Sequence, residues 1–235
     1  MNQESHLALH NIQKSYKNKL LGKRGIILKN INCHFPQGST SVILGRNGAG
    51  KTTLLRLILG YLLKDHGIIN YFGKELTAKH RRKIGYVAEK NILPILLNPM
   101  ELFKHQHRLM QNKSTHEFVE PFLQKMQLWD HRFNKIKTLS KGMQRRLAWG
   151  LATLHRPELL ILDEPFSGLD PIGRKEMQNW LQQEREMGKT IILSTHEILY
   201  LPTFLDFVHV FKKGEIVKSC SHLPSEREII NFLAD

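Results

Sequence analysis

Cysteine is nearly missing from this chain: Cys33 and Cys220 are the only two in 235 residues. They lie far apart and at no metal-ligand spacing, so a disulfide framework is excluded and isolated reduced thiols are expected. Histidine is plentiful, yet His105 and His107 stand two apart and would point to different faces of a helix, which argues against a structural metal site. No stretch approaches the roughly 20 apolar residues that a membrane-spanning helix requires. The most apolar region, 190–211, is broken by His196, Glu197, Asp206 and His209. The opening MNQESHLALH has no uninterrupted apolar core, so no secretory signal is expected and a cytosolic location is. Internal repeats, low-complexity linkers and sustained heptads are also missing.

Acidic residues are scarce. The chain has 21 Asp and Glu against 35 Lys and Arg, a formal charge of +14. Basic residues gather in KNKLLGKRG near the start, in KHRRK from Lys79 to Lys83, and in NKIKTLSKGMQRR from Asn134 to Arg146. Such a field attracts phosphate as nucleotide, nucleic acid or the anionic face of a membrane, and a merely solvated surface is an open alternative. A hydrophobic content of 41% with 24% charged residues describes a globular protein. The length suits one sizeable domain, or a domain with a subdomain.

What is present is a phosphate cradle, GRNGAGKTT. TSVIL, Thr40 to Leu44, reads as a buried strand just before it, and LLRLILG, Leu54 to Gly60, as an apolar helix just after it. Gly45, Gly48 and Gly50 lack a Cβ and can take up positive φ, which turns successive backbone N–H groups toward phosphate oxygens. The following helix aims its positive end at the same anion. Lys51 can reach the β- and γ-phosphates, and the Thr52 hydroxyl is suited to Mg²⁺. Gly45, Arg46, Asn47, Gly48, Ala49, Gly50, Lys51, Thr52 and Thr53 are therefore the expected nucleotide-binding residues.

Around this motif, apolar alternation at Leu7, Leu9 and Ile12, and again from Gly25 to Phe35, predicts antiparallel strands. GIINYFG and IGYV read as further strands. From about Pro99 to Arg156 the pattern turns helical, which predicts a helical subdomain inserted in an α/β core. LLILD, Leu159 to Asp163, and TIILST, Thr190 to Thr195, restore the buried-strand pattern, with an amphipathic helix after Pro171 between them. A strand pair around Val208 to Val217 and a helix from Ser225 close the chain. The fold class expected is α/β: a P-loop NTPase core whose mixed sheet carries antiparallel N-terminal strands. Residues 1–90 and 157–235 form the core, and about 91–156 the helical subdomain.

LLILDEP places two acids at the carboxyl end of an apolar strand, about 110 residues beyond Lys51. Asp163 is suited to hold Mg²⁺ and Glu164 to accept a proton from the attacking water. A strand ending in a solvated acidic turn is the structural alternative. LSKGMQRR, Leu139 to Arg146, runs from a turn into a helix with Ser140 and Gly142 at its start, a second anion-binding geometry.

With LILDEPFSGLD following and THE at Thr195 to Glu197, the whole chain resembles the nucleotide-binding subunit of an ABC transporter. The resemblance implies a head-to-tail dimer with ATP and Mg²⁺ sandwiched between subunits, so that Ser140, Lys141 and Gly142 of one copy face the γ-phosphate held by the other. It implies that Asp170, in SGLD, belongs to the loop joining the two sites. His196 matches the histidine that contacts the γ-phosphate and positions water, and Tyr16 matches the aromatic that stacks on adenine. Glu89, in IGYVAEK, stands where many members carry a metal-sensing glutamine, and a glutamate can still ligate a hard cation. LSKGM departs from the usual LSGGQ, and together with Glu89 it resembles the subfamily serving drug-, polysaccharide- and haem-type exporters.

The resemblance further implies separate membrane-spanning subunits, peripheral contact with the cytoplasmic face of the cell membrane, and no nucleic acid as partner. ILPILLNPM, next to Glu89, is apolar enough to receive a coupling helix from such a subunit, or to form a packed hinge. The rival is a soluble ABC-type ATPase acting on nucleic acid or ribosomes, for which the basic charge argues. Against it, only about 90 residues without heptads separate the P-loop from LSKGM. A GTPase is disfavoured because NKLL, NKST and NKIK all lack the aspartate of a guanine-reading NKxD.

Overall fold

The computed structural model describes residues 5–17, 24–90, 92–109, 116–198, 201–221 and 224–233. Most of the first basic cluster, KNKLLGKRG, lies outside them. Strands β1 (Ser5–Lys17), β2 (Arg24–Pro36) and β3 (Thr40–Gly45) lead into helix α1 (Lys51–Leu59), followed by β4 (His66–Tyr71), the two-residue β5 (Lys74–Glu75), α2 (Ala78–Arg81) and β6 (Ile84–Val87). Helices α3 (Pro99–Leu109), α4 (His116–Lys125) and α5 (Lys141–Thr153) come next. The chain ends with β7 (Leu159–Asp163), α6 (Pro171–Glu186), three successive strands β8 (Thr190–Thr195), β9 (Phe207–Lys212) and β10 (Glu215–Cys220), and α7 (Glu226–Leu233).

The α/β core with antiparallel N-terminal strands is as expected, and the strands fall into two sheets. One is antiparallel, in the order β2-β1-β4-β5; the other runs β10-β9-β3-β8-β7-β6, parallel except for β10. Apolar alternation alone marks β1 and β2 as paired, but not which sheet they join.

The central strands read as unbroken apolar runs because both of their faces are covered. On one face Val42, Leu44, Leu160, Leu162, Ile191 and Leu193 pack with Phe103, Leu147 and Trp149 from α3 and α5. On the other face Ile43, Leu159, Ile161 and Ile192 pack with Leu54, Leu55 and Ile58 of α1 and with Leu7 and Leu9 of β1. Helix α1 is thus sandwiched between the two sheets. Burying a leucine or isoleucine in such a layer contributes about 1.5–3 kcal/mol, so two apolar faces fix the P-loop strand firmly in place.

Gly150 explains how the helices come close. A Cβ there would lie 2.7 Å from Phe103 and 3.1 Å from Met126, so α5 meets its neighbours at backbone distance.

Candidate functional site

Three parallel strands end side by side, and β8 lies between β3 and β7. Register puts Leu44 opposite Thr195 and Asp163 opposite Ser194. The loops after all three strands therefore open on one edge of the sheet, the position where open α/β sheets place their ligands.

The P-loop leaves β3 at Gly45. Gly48 and Gly50 adopt positive φ, 81° and 109°, whereas Gly45 does not. Gly45 is required for a different reason: a Cβ there would collide with the Phe211 carbonyl. Gly50 occupies the N-cap of α1 and offers no side-chain cap, which leaves the first N–H groups of the helix available to an anion. Lys51 folds back over the loop, its Nζ donating to Gly45 O at 2.7 Å and Arg46 O at 3.3 Å.

Asp163 is buried at the end of β7, and its Oδ1 accepts from Ser194 Oγ at 2.6 Å and Thr52 Oγ1 at 3.1 Å. Glu164 follows with φ of 48°, a left-handed conformation costing about 1–3 kcal/mol for a residue with a Cβ. The turn is pinned at both ends. Glu164 N donates to Ser194 O at 3.1 Å and to Ser194 Oγ at 3.2 Å, while Glu164 O accepts from Arg145 Nη2 at 3.3 Å.

The Glu164 carboxylate reaches two neighbours. Its Oε1 lies 3.2 Å from Lys51 Nζ. Its Oε2 accepts from His196 Nδ1 at 3.0 Å and from His196 N at 3.3 Å. Arg145 is itself buried, and burial pushes its guanidinium down from the ordinary value while the Glu89 charge opposes that shift.

A cavity of about 450 Å³ lies over these groups, lined by Tyr16, Ile27, Asn47, Gly48, Gly50, Lys51, Thr52, Thr53, Glu89 and Glu164. It brings together the P-loop, the acid that follows β7, the segment after β6, and an aromatic from β1. Tyr16 is 43% exposed, with Lys14 Nζ 5.7 Å from its ring centroid. Arg46 and Ala49 face a second recess of about 300 Å³ with Phe211, Lys212 and Lys213. Thr52 Oγ1 and Asp163 Oδ1, 3.1 Å apart, are oxygen donors of the kind a hard cation such as Mg²⁺ takes, and Glu89 lines the cavity beside Thr52; among the described residues no cluster of three His, Cys, Asp or Glu could hold a metal by itself.

Ser140, Lys141, Gly142 and Asp170 do not line that cavity. Ser140 caps α5, accepting from Met143 N at 3.2 Å, and is exposed together with Lys141 and Gly142. Asp170 caps α6, its Oδ1 accepting from Gly173 N at 2.7 Å.

Two residues at the site are given no role from the sequence. Ser194 is one hydroxyl inside an apolar strand, and only its register beside Asp163 shows its place. Arg145 looks like one more cation of a basic helix, and only its burial distinguishes it.

A family model described as ABC transporter matches residues 28–167. The lantibiotic transport ATP-binding protein SrtF of Streptococcus pyogenes is 34% identical over 212 residues, 90% of this chain and 89% of that protein. The linearmycin resistance ATP-binding protein LnrL of Bacillus subtilis is 34% identical, with 90% of this chain and 68% of that protein covered. Among solved structures, cbiO1 from Clostridium perfringens, described as part of the ABC transporter complex cbiONQ, superposes with a TM-score of 0.77 at 27% identity, covering 93% of this chain and 89% of that one. The dimeric post-hydrolysis cassette MJ0796 bound to ADP and Pi shares the fold, with a TM-score of 0.82 at 24% identity over 93% of this chain and all of that one.

Proposed function

Because the chain belongs to the ABC transporter family and is one of its ATP-binding, ATP-hydrolysing subunits, we propose that it powers export through membrane-spanning subunits on separate chains. It works at the cytoplasmic face of the membrane, paired head to tail with a second ATP-binding subunit. The observation that carries the chemistry is the convergence of Lys51 and His196 on the Glu164 carboxylate, beside the cavity that holds the P-loop.

In this reading residues 45–53 bind the phosphates of ATP and Tyr16 stacks on the adenine, a contact contributing about 1–3 kcal/mol by analogy with base–aromatic stacking. Thr52, Asp163 and Glu89 hold Mg²⁺, which when bound supplies positive charge to the β- and γ-phosphate oxygens. The Glu164 carboxylate takes the proton of the attacking water. His196 holds that carboxylate by its Nδ1–H and faces the γ-phosphate. The exposed start of α5, Ser140 to Gly142, closes over the nucleotide of the other subunit, and Asp170 belongs to the loop joining the two sites. Residues 1–90 and 157–235 act as the core and about 91–156 as the helical subdomain. Ile92, Ile95 and Leu96, at 94%, 55% and 69% exposure, offer an apolar face to the membrane partner.

Export is supported by the relatives named for lantibiotic transport and linearmycin resistance. The alternative of an ATPase acting on nucleic acid or ribosomes has no support among these relatives. Purification from membranes, with mass spectrometry of what stays bound, tests the reading. A protein with several membrane spans is the expected companion, whereas recovery with ribosomes or nucleic acid would overturn it.

A further inference from the structure

Strands β6 and β7 pair in parallel up to Val87 and Leu162. Beyond that point the two chains diverge, one toward Glu89 and the other toward Glu164. Both segments bear on the cavity, and the strand ladder no longer ties them.

Arg145 stands in the gap. Its side chain runs inward from α5, and the residue is 6% exposed. Nη1 donates to Ala88 O at 3.3 Å and Glu89 O at 3.4 Å, while Nη2 donates to Glu164 O at 3.3 Å and to Pro165 O. All four acceptors are backbone carbonyls, so the guanidinium fixes the course of two chain segments rather than neutralising a side chain. A planar fork can bridge two pairs of carbonyls in this way, and an ammonium cannot.

One of those carbonyls belongs to Glu164, whose left-handed φ requires support from its surroundings. Ser194 holds the N–H of that residue and Arg145 holds its carbonyl.

We propose that Arg145 is a positioning residue for ATP hydrolysis: by locking the Glu164 turn to the Glu89 segment, it aims the base carboxylate. The proposal rests on the reading of Glu164 as the base. Arg145 lies five residues after Ser140, about 7.5 Å along the axis of α5 at 1.5 Å per residue. A contact made at the exposed start of α5 is therefore transmitted through one rigid helix to the base of the same chain.

The test compares the full-length chain with Arg145→Gln and Arg145→Lys in Mg²⁺-dependent phosphate release, alongside nucleotide affinity measured with a fluorescent ATP analogue. Arg145 holds neither the P-loop nor Tyr16, and it touches Glu89 only at the backbone carbonyl, so nucleotide affinity is measured without Mg²⁺. KM and nucleotide affinity should stay within about twofold of wild type, while kcat falls about tenfold or more through misplacement of the base. Lysine should recover only part of the loss, because one ammonium cannot span both carbonyl pairs. If Arg145→Gln fails to fold, Arg145→Lys carries the test with the same split. An active wild type with variants of unchanged kcat, or a loss lying wholly in KM, overturns the role of Arg145 alone. A wild-type chain that releases no phosphate overturns the hydrolytic reading and this proposal together.

Discussion

Lys51 Nζ and Glu164 Oε1 lie 3.2 Å apart, with side chains only 5% and 7% exposed. The pair joins the cation suited to phosphate with the carboxylate suited to water. Each neutralises a charge that burial would otherwise make expensive. In the proposed reading, a phosphate entering the cradle would compete with Glu164 for Lys51 and so link substrate binding to release of the base.

Lys51→Ala should leave the buried Glu164 carboxylate with His196 in place of a cationic partner and destabilise the fold by up to about 3 kcal/mol. Adding Glu164→Gln should restore most of that loss. Urea unfolding of the two single variants and the double variant gives the coupling energy. Strictly additive losses would show that the two side chains do not stabilise one another.

Glu164→Gln should lower turnover by about 10²–10⁴, the range ascribed to a positioned base, while ATP still binds. Phosphate release and nucleotide binding are measured on the same preparation. Release at the wild-type rate would remove Glu164 from the role of base.

Ser194→Ala removes the hydroxyl donating to Asp163 Oδ1 at 2.6 Å. The freed carboxylate should raise the Mg²⁺ concentration needed for half-maximal hydrolysis by about tenfold, the lower range for partners that orient metal ligands. A Mg²⁺ titration at saturating ATP reads this directly. An unchanged midpoint would mean that Asp163 is oriented without Ser194.

Two buried histidines set an acid limit on stability. His6 Nδ1 lies 2.6 Å from Thr190 Oγ1, with the ring stacked on Phe72, and His209 Nδ1 lies 2.9 Å from Ser219 Oγ, edge-on to Phe35. Burial pushes both down to about 4; Lys83 adds to the effect at His6 and Glu158 opposes it, while His34 adds to it at His209. Unfolded histidines titrate near 6.5, so between about pH 6.5 and 4 the unfolded chain binds more protons than the folded one. This contribution is full above pH 6.5 and is lost as the pH falls toward 4. The urea midpoint should drop from pH 7.5 to 5, and His209→Gln should flatten the slope. A midpoint that holds steady across that range would contradict the assignment.

The conformation of the glycine-rich loop was legible because its demands are local. Gly48 and Gly50 supply backbone conformations within one loop, and an apolar strand and helix flank it in sequence. Asp163 and Glu164 were legible for a related reason: an apolar run stops abruptly at two acids. The apolar runs of β3, β7 and β8 reflect strands covered on both faces. The division into two sheets was not legible, because alternation in β1 and β2 shows which side chains are buried but not which sheet the strands join. Gly45 was read as free to take up positive φ, yet it does not, and what excludes a side chain there is the Phe211 carbonyl, more than 160 residues away in sequence.

The order of residues by itself determined the glycine loop between strand and helix and the acidic strand end, because each depends on neighbours along the chain. Tertiary structure alone decided that Ser194 grips Asp163, that Arg145 bridges the segments bearing Glu89 and Glu164, and that Lys51 pairs with Glu164. Those contacts join groups far apart in the chain, and their partners are chosen by strand order and helix packing, which no run of adjacent residues encodes.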